Sequence, residues 1–186
     1  MTATGVKPTH LVPGDRLRGD APLDEATAVV GLGSTLRGDD GVGPQVVASL
    51  ARRLDVARRG GALPVPPPDL LTGGLPLLEI FAAYRRVLLV DAMHSGRWPP
   101  GTIKVFSPRQ LVESFPPGPL VIGSGHGGSP AAAMVQAERL GLPVPQYLRV
   151  WGVEAAETAG FSEALSPPVA AAVPQVVTAL LAELGV

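Results

Sequence analysis

Residues 27–44 read TAVVGLGSTLRGDDGVGP, and this stretch decides the fold. Its first part, residues 27–33, is short, apolar and rich in β-branched residues, and it ends in glycines, as a buried strand does before a tight turn. Pro44 suits the start of a helix, and the apolar residues after it recur at helical spacing: Val46, Val47, Leu50 and Leu54. The stretch therefore predicts a strand, a glycine-rich turn and a helix.

The same alternation of strands and helices continues along the chain. Further strands are predicted at residues 87–90, ending at Asp91, at 102–106 nearer the sheet edge, and at 148–153, with a weaker proline-rich candidate at 63–65. Helices are predicted at 75–84 and 130–140 and at the C-terminal end, and a loop at 116–130. This order predicts an α/β fold: a three-layer, mainly parallel twisted sheet with helices on both faces. Ligands are expected beyond the C-terminal ends of its strands.

Composition excludes several classes of function. The chain has 186 residues, of which 46% are hydrophobic, enough for one substantial core. Fifteen Lys and Arg stand against sixteen Asp and Glu, so the chain lacks the basic surplus that binds nucleic acid. It has no cysteine, which excludes a disulfide framework, a thiolate metal site and a cysteine nucleophile. Any chemistry must use carboxylates, imidazoles, hydroxyls or the backbone.

The two ends of the chain differ in character. Residues 1–26 contain prolines and charges but no apolar core of a signal peptide, which predicts a flexible tail before a domain at 27–186 and a cytoplasmic protein. Residues 165–186 are apolar but interrupted by prolines and polar side chains. This pattern favours a closing helix packed on the domain over a membrane span.

The glycine-rich turn at residues 31–40 permits more than one interpretation. A dinucleotide-binding turn needs glycine where Leu36 stands, and a phosphate loop needs Lys followed by Ser or Thr where Asp39 and Asp40 stand. Two carboxylates would repel phosphate, so no nucleotide cofactor is expected. The acids could hold a metal cation or act in acid–base catalysis, or they could cap the following helix. Spacing alone favours capping.

Other candidate residues lie farther along the chain. Asp91 ends a predicted buried strand, where an open α/β sheet presents functional side chains, and His94 follows three residues later. His126 lies in the bare loop GSGHGG, where an imidazole is either solvated or directed at a ligand. His10 falls in the predicted tail and is expected to be solvated.

A serine nucleophile is not supported by the residues around His126. The nucleophile elbow needs glycine two positions before the serine, and Ile122 occupies that place relative to Ser124. Ser129 precedes Pro130 and is better explained as the N-cap of a helix.

Together these segments resemble the hydrogenase maturation endopeptidase family over about residues 27–186. GLGSTLRGDDGVGPQVV resembles the family's opening signature, DLLTGG at 69–74 its second block, and VDAMHSGRWPPGT at 90–102 its third. GSGHGG at 123–128 is similar to its histidine loop, and WGVE with LSPPVAAAVP to its last strand and closing helix. The chain departs from the family at two places, where Ser34 replaces Asn and Ala155 replaces Pro.

The resemblance implies an endopeptidase that removes the C-terminal extension of a nickel-loaded hydrogenase large-subunit precursor. It implies that Asp40, Asp91 and His126 bind nickel contributed by the substrate, with His94 as a competing ligand. Carboxylate and imidazole ligands suit nickel, and three protein ligands leave room for groups of the substrate. It also implies that Asp69, in the second block, aids attack by water. A non-cleaving module that docks on the precursor or checks its metal would carry the same ligands.

Overall fold

The computed structural model describes residues 27–58, 75–115, 129–156 and 161–186 of the chain. These residues form one four-stranded sheet with strand order β1-β2-β4-β3. The strands are β1 (Thr27–Gly31), β2 (Arg86–Met93), β3 (Ile103–Phe106) and β4 (Tyr147–Glu154). β2 pairs in parallel with both β1 and β4, whereas β3 pairs with β4 in antiparallel fashion at the sheet edge. The extended segment predicted at 63–65 lies outside the described residues.

Five α-helices pack on the sheet within the described ranges. They are α1 (Val42–Arg58), α2 (Leu75–Ala83), α3 (Pro108–Ser114), α4 (Pro130–Arg139) and α5 (Pro167–Leu184), with a 3₁₀ turn at Gly38–Gly41 before α1. Helices α1, α2, α4 and α5 match the predictions, and Ser129 caps α4 by accepting a bond from the amide of Ala132. Helix α3 was not predicted; it has only seven residues, and a capping box between Ser107 and Gln110 marks its start.

Alternate side chains of the strands face the two helical layers. Ala28, Val30 and Leu89 pack in the core that lies under α2, α3 and α4. Val29 and Leu88 pack in the opposite core, under α1 and α5. Successive side chains of a strand point to opposite faces of the sheet, and both faces are covered by helices here. The central residues of β1 and β2 are therefore apolar at consecutive positions. The three-layer α/β fold is therefore confirmed.

Helix α5 closes the domain against α1. Six of its residues are buried there: Val169, Ala172, Val176, Val177, Leu180 and Leu184. The prediction of a packed closing helix is confirmed. By length and composition alone, however, α5 is long and apolar enough to cross a membrane, and Pro174 does not break it. Packing on the core, rather than the interruptions in its sequence, identifies it as part of the domain.

Candidate functional site

Asp40 lies in the turn that follows β1, at the C-terminal edge of the sheet. The turn closes tightly because Gly33 has φ 114°, and a Cβ there would lie 1.8 Å from the backbone oxygen of Asp40. The amide of Ser34 donates to Oδ2 of Asp40 over 2.9 Å. The Ser34 hydroxyl in turn accepts a long bond, 3.4 Å, from the amide of Leu36. Glycine at 33 thus allows the backbone approach that places the Asp40 carboxylate.

Asp91 lies in β2, the strand next to β1. The two strands stay joined to the end of β1, where the amide of Leu32 donates to the carbonyl of Val90 over 2.8 Å. Desolvation by the surrounding protein, reinforced by the negative charge of Asp40, raises the pKa of Asp91 to about 7, although the amide of Ala92 opposes the shift. The structure therefore brings Asp40 and Asp91 together, as parallel neighbouring strands require.

Of the other predicted site residues, His126 and Asp69 lie outside the described residues. His94 is exposed on the loop after β2. Within the part of the chain that the structure describes, no group of three or more His, Cys, Asp or Glu residues could hold a metal ion. His94 consequently does not complete a site with Asp40 and Asp91.

Asp39 is fully buried and joins three parts of the domain. Its Oδ2 accepts bonds from the amide of Ala156 and the hydroxyl of Ser166, at 2.8 and 2.9 Å. Its Oδ1 accepts a bond from the amide of Ser166 at 2.7 Å. Ser166 is the N-cap of α5, so the carboxylate lies at the positive end of that helix. Asp39 therefore fixes the 3₁₀ turn that carries Asp40 against the last strand and the last helix.

Glu154 is a second buried acid at the same edge, at the end of β4. Its two carboxylate oxygens accept bonds of 2.7 Å from the hydroxyl of Ser95 and the amide of Gly96. Its carbonyl accepts a further 2.7 Å bond from the amide of Gly101. Glu154 thus holds both ends of the loop that leaves β2. The sequence signal was an acid ending an apolar strand, but the sequence interpretation gave it no role.

The closeness of Asp40 to Asp91 determines what chemistry this edge of the sheet can support. Two carboxylates close together in a desolvated place disfavour double ionisation, which a divalent cation between them would relieve. With its pKa at about 7, Asp91 can also exchange a proton near neutral pH. Asp39 and Glu154 are already engaged by donors and instead hold the loops in place.

No protein-family model matches the chain, and no curated protein matches it. Solved structures do match. The hydrogenase maturating endopeptidase HybD from E. coli superposes with a TM-score of 0.65 at 22% identity, covering 85% of this chain and 91% of that one. A hydrogenase 2 maturation peptidase from a Thaumarchaeota archaeon has a TM-score of 0.55 at 25% identity, with coverage of 86% and 97%.

A third neighbour is the [NiFe] hydrogenase maturation protease HybD from Thermococcus kodakarensis. Its TM-score is 0.53 at 22% identity, and the match covers 83% of this chain and 95% of that one. At such identities a match carries information about the backbone, and the alignments extend over nearly the whole of each neighbour. The chain has the fold of the hydrogenase maturation endopeptidases, the family that its sequence motifs resemble.

Proposed function

We propose that this chain is an endopeptidase that removes the C-terminal extension of a nickel-loaded hydrogenase large-subunit precursor. The observation that carries the proposal is the pairing of Asp40 and Asp91 at the C-terminal edge of a sheet with this fold. Open α/β sheets bind their ligands at that edge. The neighbours with this fold are named as hydrogenase maturation proteases, which makes the precursor the substrate to test first.

Nickel belongs to the substrate in this proposal. Asp40 and Asp91 supply carboxylate oxygens, and a bound cation would offset the repulsion between their negative charges. An imidazole completes a set of donors that suits nickel and leaves coordination positions for groups of the precursor. We assign that imidazole to His126.

The connections of the described helices support this assignment. Helix α4 is followed by parallel strand β4, so it runs back across the sheet, and its first residue, Pro130, starts at the edge that carries Asp91. His126 precedes Pro130 by four positions. This position in the sequence, just before a helix that starts at the edge carrying Asp91, is our reason for choosing His126 as the third ligand.

The same reasoning supports Asp69 as the residue that aids attack by water. Helix α2 ends at Ala83 and β2 begins at Arg86, so the start of α2 lies at the C-terminal edge of the sheet. Asp69 precedes the first residue of α2, Leu75, by six positions. In the proposed hydrolysis, water adds to the scissile carbonyl while Asp69 takes a proton from that water. Asp69 then gives the proton to the departing amine when the C–N bond breaks.

The test is to incubate the chain with nickel-loaded precursor and to measure the mass of the product. The wild-type chain should release a C-terminal peptide, and precursor without nickel should stay intact. His126→Ala should lower the cleavage rate by about 100-fold or more with little change in melting temperature. His94→Ala is the matched control and should cleave like the wild type. Binding without any loss of mass would instead identify a docking module, and normal cleavage by His126→Ala would remove His126 from the site.

A further inference from the structure

The loop that leaves β2 builds a positively charged surface beside the candidate site. The guanidinium of Arg97 lies 5.6 Å from the centroid of the Trp98 ring, and Nζ of Lys104 on β3 lies 5.0 Å from it. Both cations are attracted by the electron-rich face of this indole ring, and the Arg97 guanidinium also lies 5.2 Å from the centroid of the Phe115 ring. We call Arg97, Trp98 and Lys104 the basic-aromatic patch.

Neither cation of the patch has an acidic partner within the described part of the chain. The ion pairs found there join Arg86 to Glu183 and Arg109 to Glu113. Nη2 of Arg97 donates to the carbonyl of Ser114 over 2.6 Å, which fixes the guanidinium at the end of α3 without supplying a full negative charge. Two like charges around one ring thus lack a counter-charge, and an anionic group would stabilise them.

The patch lies close to Asp91 on the same face of the sheet. Asp91 and Lys104 are both paired with Gly152, so the three residues form one row across β2, β4 and β3. Two strand spacings separate Asp91 from Lys104, roughly 10 Å. Asp91 lies two positions from Leu89 and Lys104 two positions from Phe106, so both face the same side of the sheet as the core under α2, α3 and α4. A polypeptide bound at the candidate site would therefore meet the patch within a few residues.

The loop that carries Arg97 and Trp98 is fixed at both of its ends. Glu154 fixes Ser95 and Gly96 at its start. At its end, Gly101 has φ 83° and packs so closely that a Cβ would lie 2.4 Å from the carbonyl oxygen of Pro168 on α5. A loop fixed at both ends loses little conformational entropy on binding, so its charges are effective recognition groups.

We propose that the basic-aromatic patch binds an acidic segment of the hydrogenase precursor and orients its C-terminal region over Asp40 and Asp91. The inference rests on the proposed function and adds the chemistry of substrate recognition. A polypeptide carboxylate fits two cations, whereas a nucleic acid needs several more phosphate contacts than this patch offers.

The test is a double variant, Arg97→Gln with Lys104→Gln, in the full chain. Its Kd for nickel-loaded precursor is measured by titration at about 50 mM and about 500 mM NaCl, across the range in which salt screens such charges. We expect a Kd about tenfold higher than that of the wild type at low salt and a shrinking difference at high salt.

Two control variants distinguish recognition from a change in net charge or folding. Arg149 also stacks on an aromatic ring, 5.5 Å from the centroid of Tyr147, but near the opposite edge of the sheet. Arg149→Gln should leave Kd unchanged, and exchanging the two cations, Arg97→Lys with Lys104→Arg, should largely preserve binding. An unchanged Kd in the neutralised double variant, or an equal loss in Arg149→Gln, would overturn the inference while leaving the proposed function intact. Failure of the wild type to bind the precursor would overturn both.

Discussion

At the scale of the single residue, the acids at the C-terminal edge differ in role because their environments differ. Asp39 and Asp40 are adjacent and chemically identical, yet one is bonded inside the domain and the other lies beside Asp91. The sequence could predict that one acid follows β1 and another follows the apolar run of β2, because such runs mark buried strands. It could not show that Asp39 is the acid bonded inside the domain, because the donors to Asp39 come from residues more than 100 positions away.

The pKa of Asp91 predicts how stability changes with pH in the metal-free chain. Its folded value of about 7 exceeds the ordinary value of 3.8, so the folded chain binds more protons than the unfolded chain between these pH values. The free energy of unfolding should therefore fall as pH rises from about 4 to about 7, by at most about 4 kcal/mol from this group. Asp91→Asn should remove that slope and be the more stable protein at pH 8.

Urea denaturation of both proteins at several pH values measures this slope. Because groups distant from Asp91 contribute equally to the two proteins, the difference between their curves isolates Asp91 and its interaction with Asp40. The same pH dependence in Asp91→Asn and in the wild type would show that Asp91 is not perturbed in solution.

Gly33 gives a second prediction at this scale. Gly33→Ala combines a φ of 114° with a Cβ 1.8 Å from the Asp40 carbonyl oxygen, so the turn must move or unfold. We expect a loss of roughly 3 kcal/mol or more in the free energy of unfolding. Gly141 is the matched control, with φ 63° and no atom within 4 Å of an added Cβ, and its alanine variant should lose only about 1–2 kcal/mol. Equal losses in the two variants would refute the close approach at Gly33.

At the scale of the elements, Asp39 connects the 3₁₀ turn to the start of α5. Asp39→Ala would remove the buried carboxylate that accepts hydrogen bonds from the amides of Ala156 and Ser166. We expect a loss of about 2–4 kcal/mol in the free energy of unfolding, measured by urea denaturation. Asp40→Ala, one position away, should change stability far less, because it removes one bond of a half-buried residue and relieves repulsion with Asp91. A smaller loss for Asp39 than for Asp40 would reverse the roles assigned here.

The elements were predictable where a single periodic pattern controlled them. β1 and α1 follow directly from apolar spacing, and all four apolar residues predicted on the inner face of α1 are buried. Helix α3 was not predicted because only Leu111 of its seven residues is buried, so its sequence carries no apolar periodicity. β2 extends to Met93, past the apolar run, because its pairing with β4 continues to Glu154. Such pairings depend on distant strands, which local sequence does not encode.

At the scale of the whole molecule, we propose that residues 27–186 are the folding unit. The buried cores described above are assembled from strands and helices that begin at Thr27, and residues 1–26 offer little apolar surface to offset the entropy of ordering them. A chain lacking residues 1–26 should keep its melting temperature within about 2 °C, measured by calorimetry. A fall of many degrees would mean that the first 26 residues contribute to the domain.

The contact of Asp39 with Ser166 also bears on the order in which the protein becomes competent during synthesis. The ribosome synthesises the turn with Asp40 early. The Ser166 donors that stabilise the neighbouring Asp39 carboxylate are synthesised more than 100 residues later, with α5. Until α5 has left the ribosome, the Asp39 carboxylate therefore lacks its two hydrogen bonds from Ser166, and the turn that carries Asp40 lacks that support. The proposed peptidase would therefore become competent only after its last helix has docked on the domain.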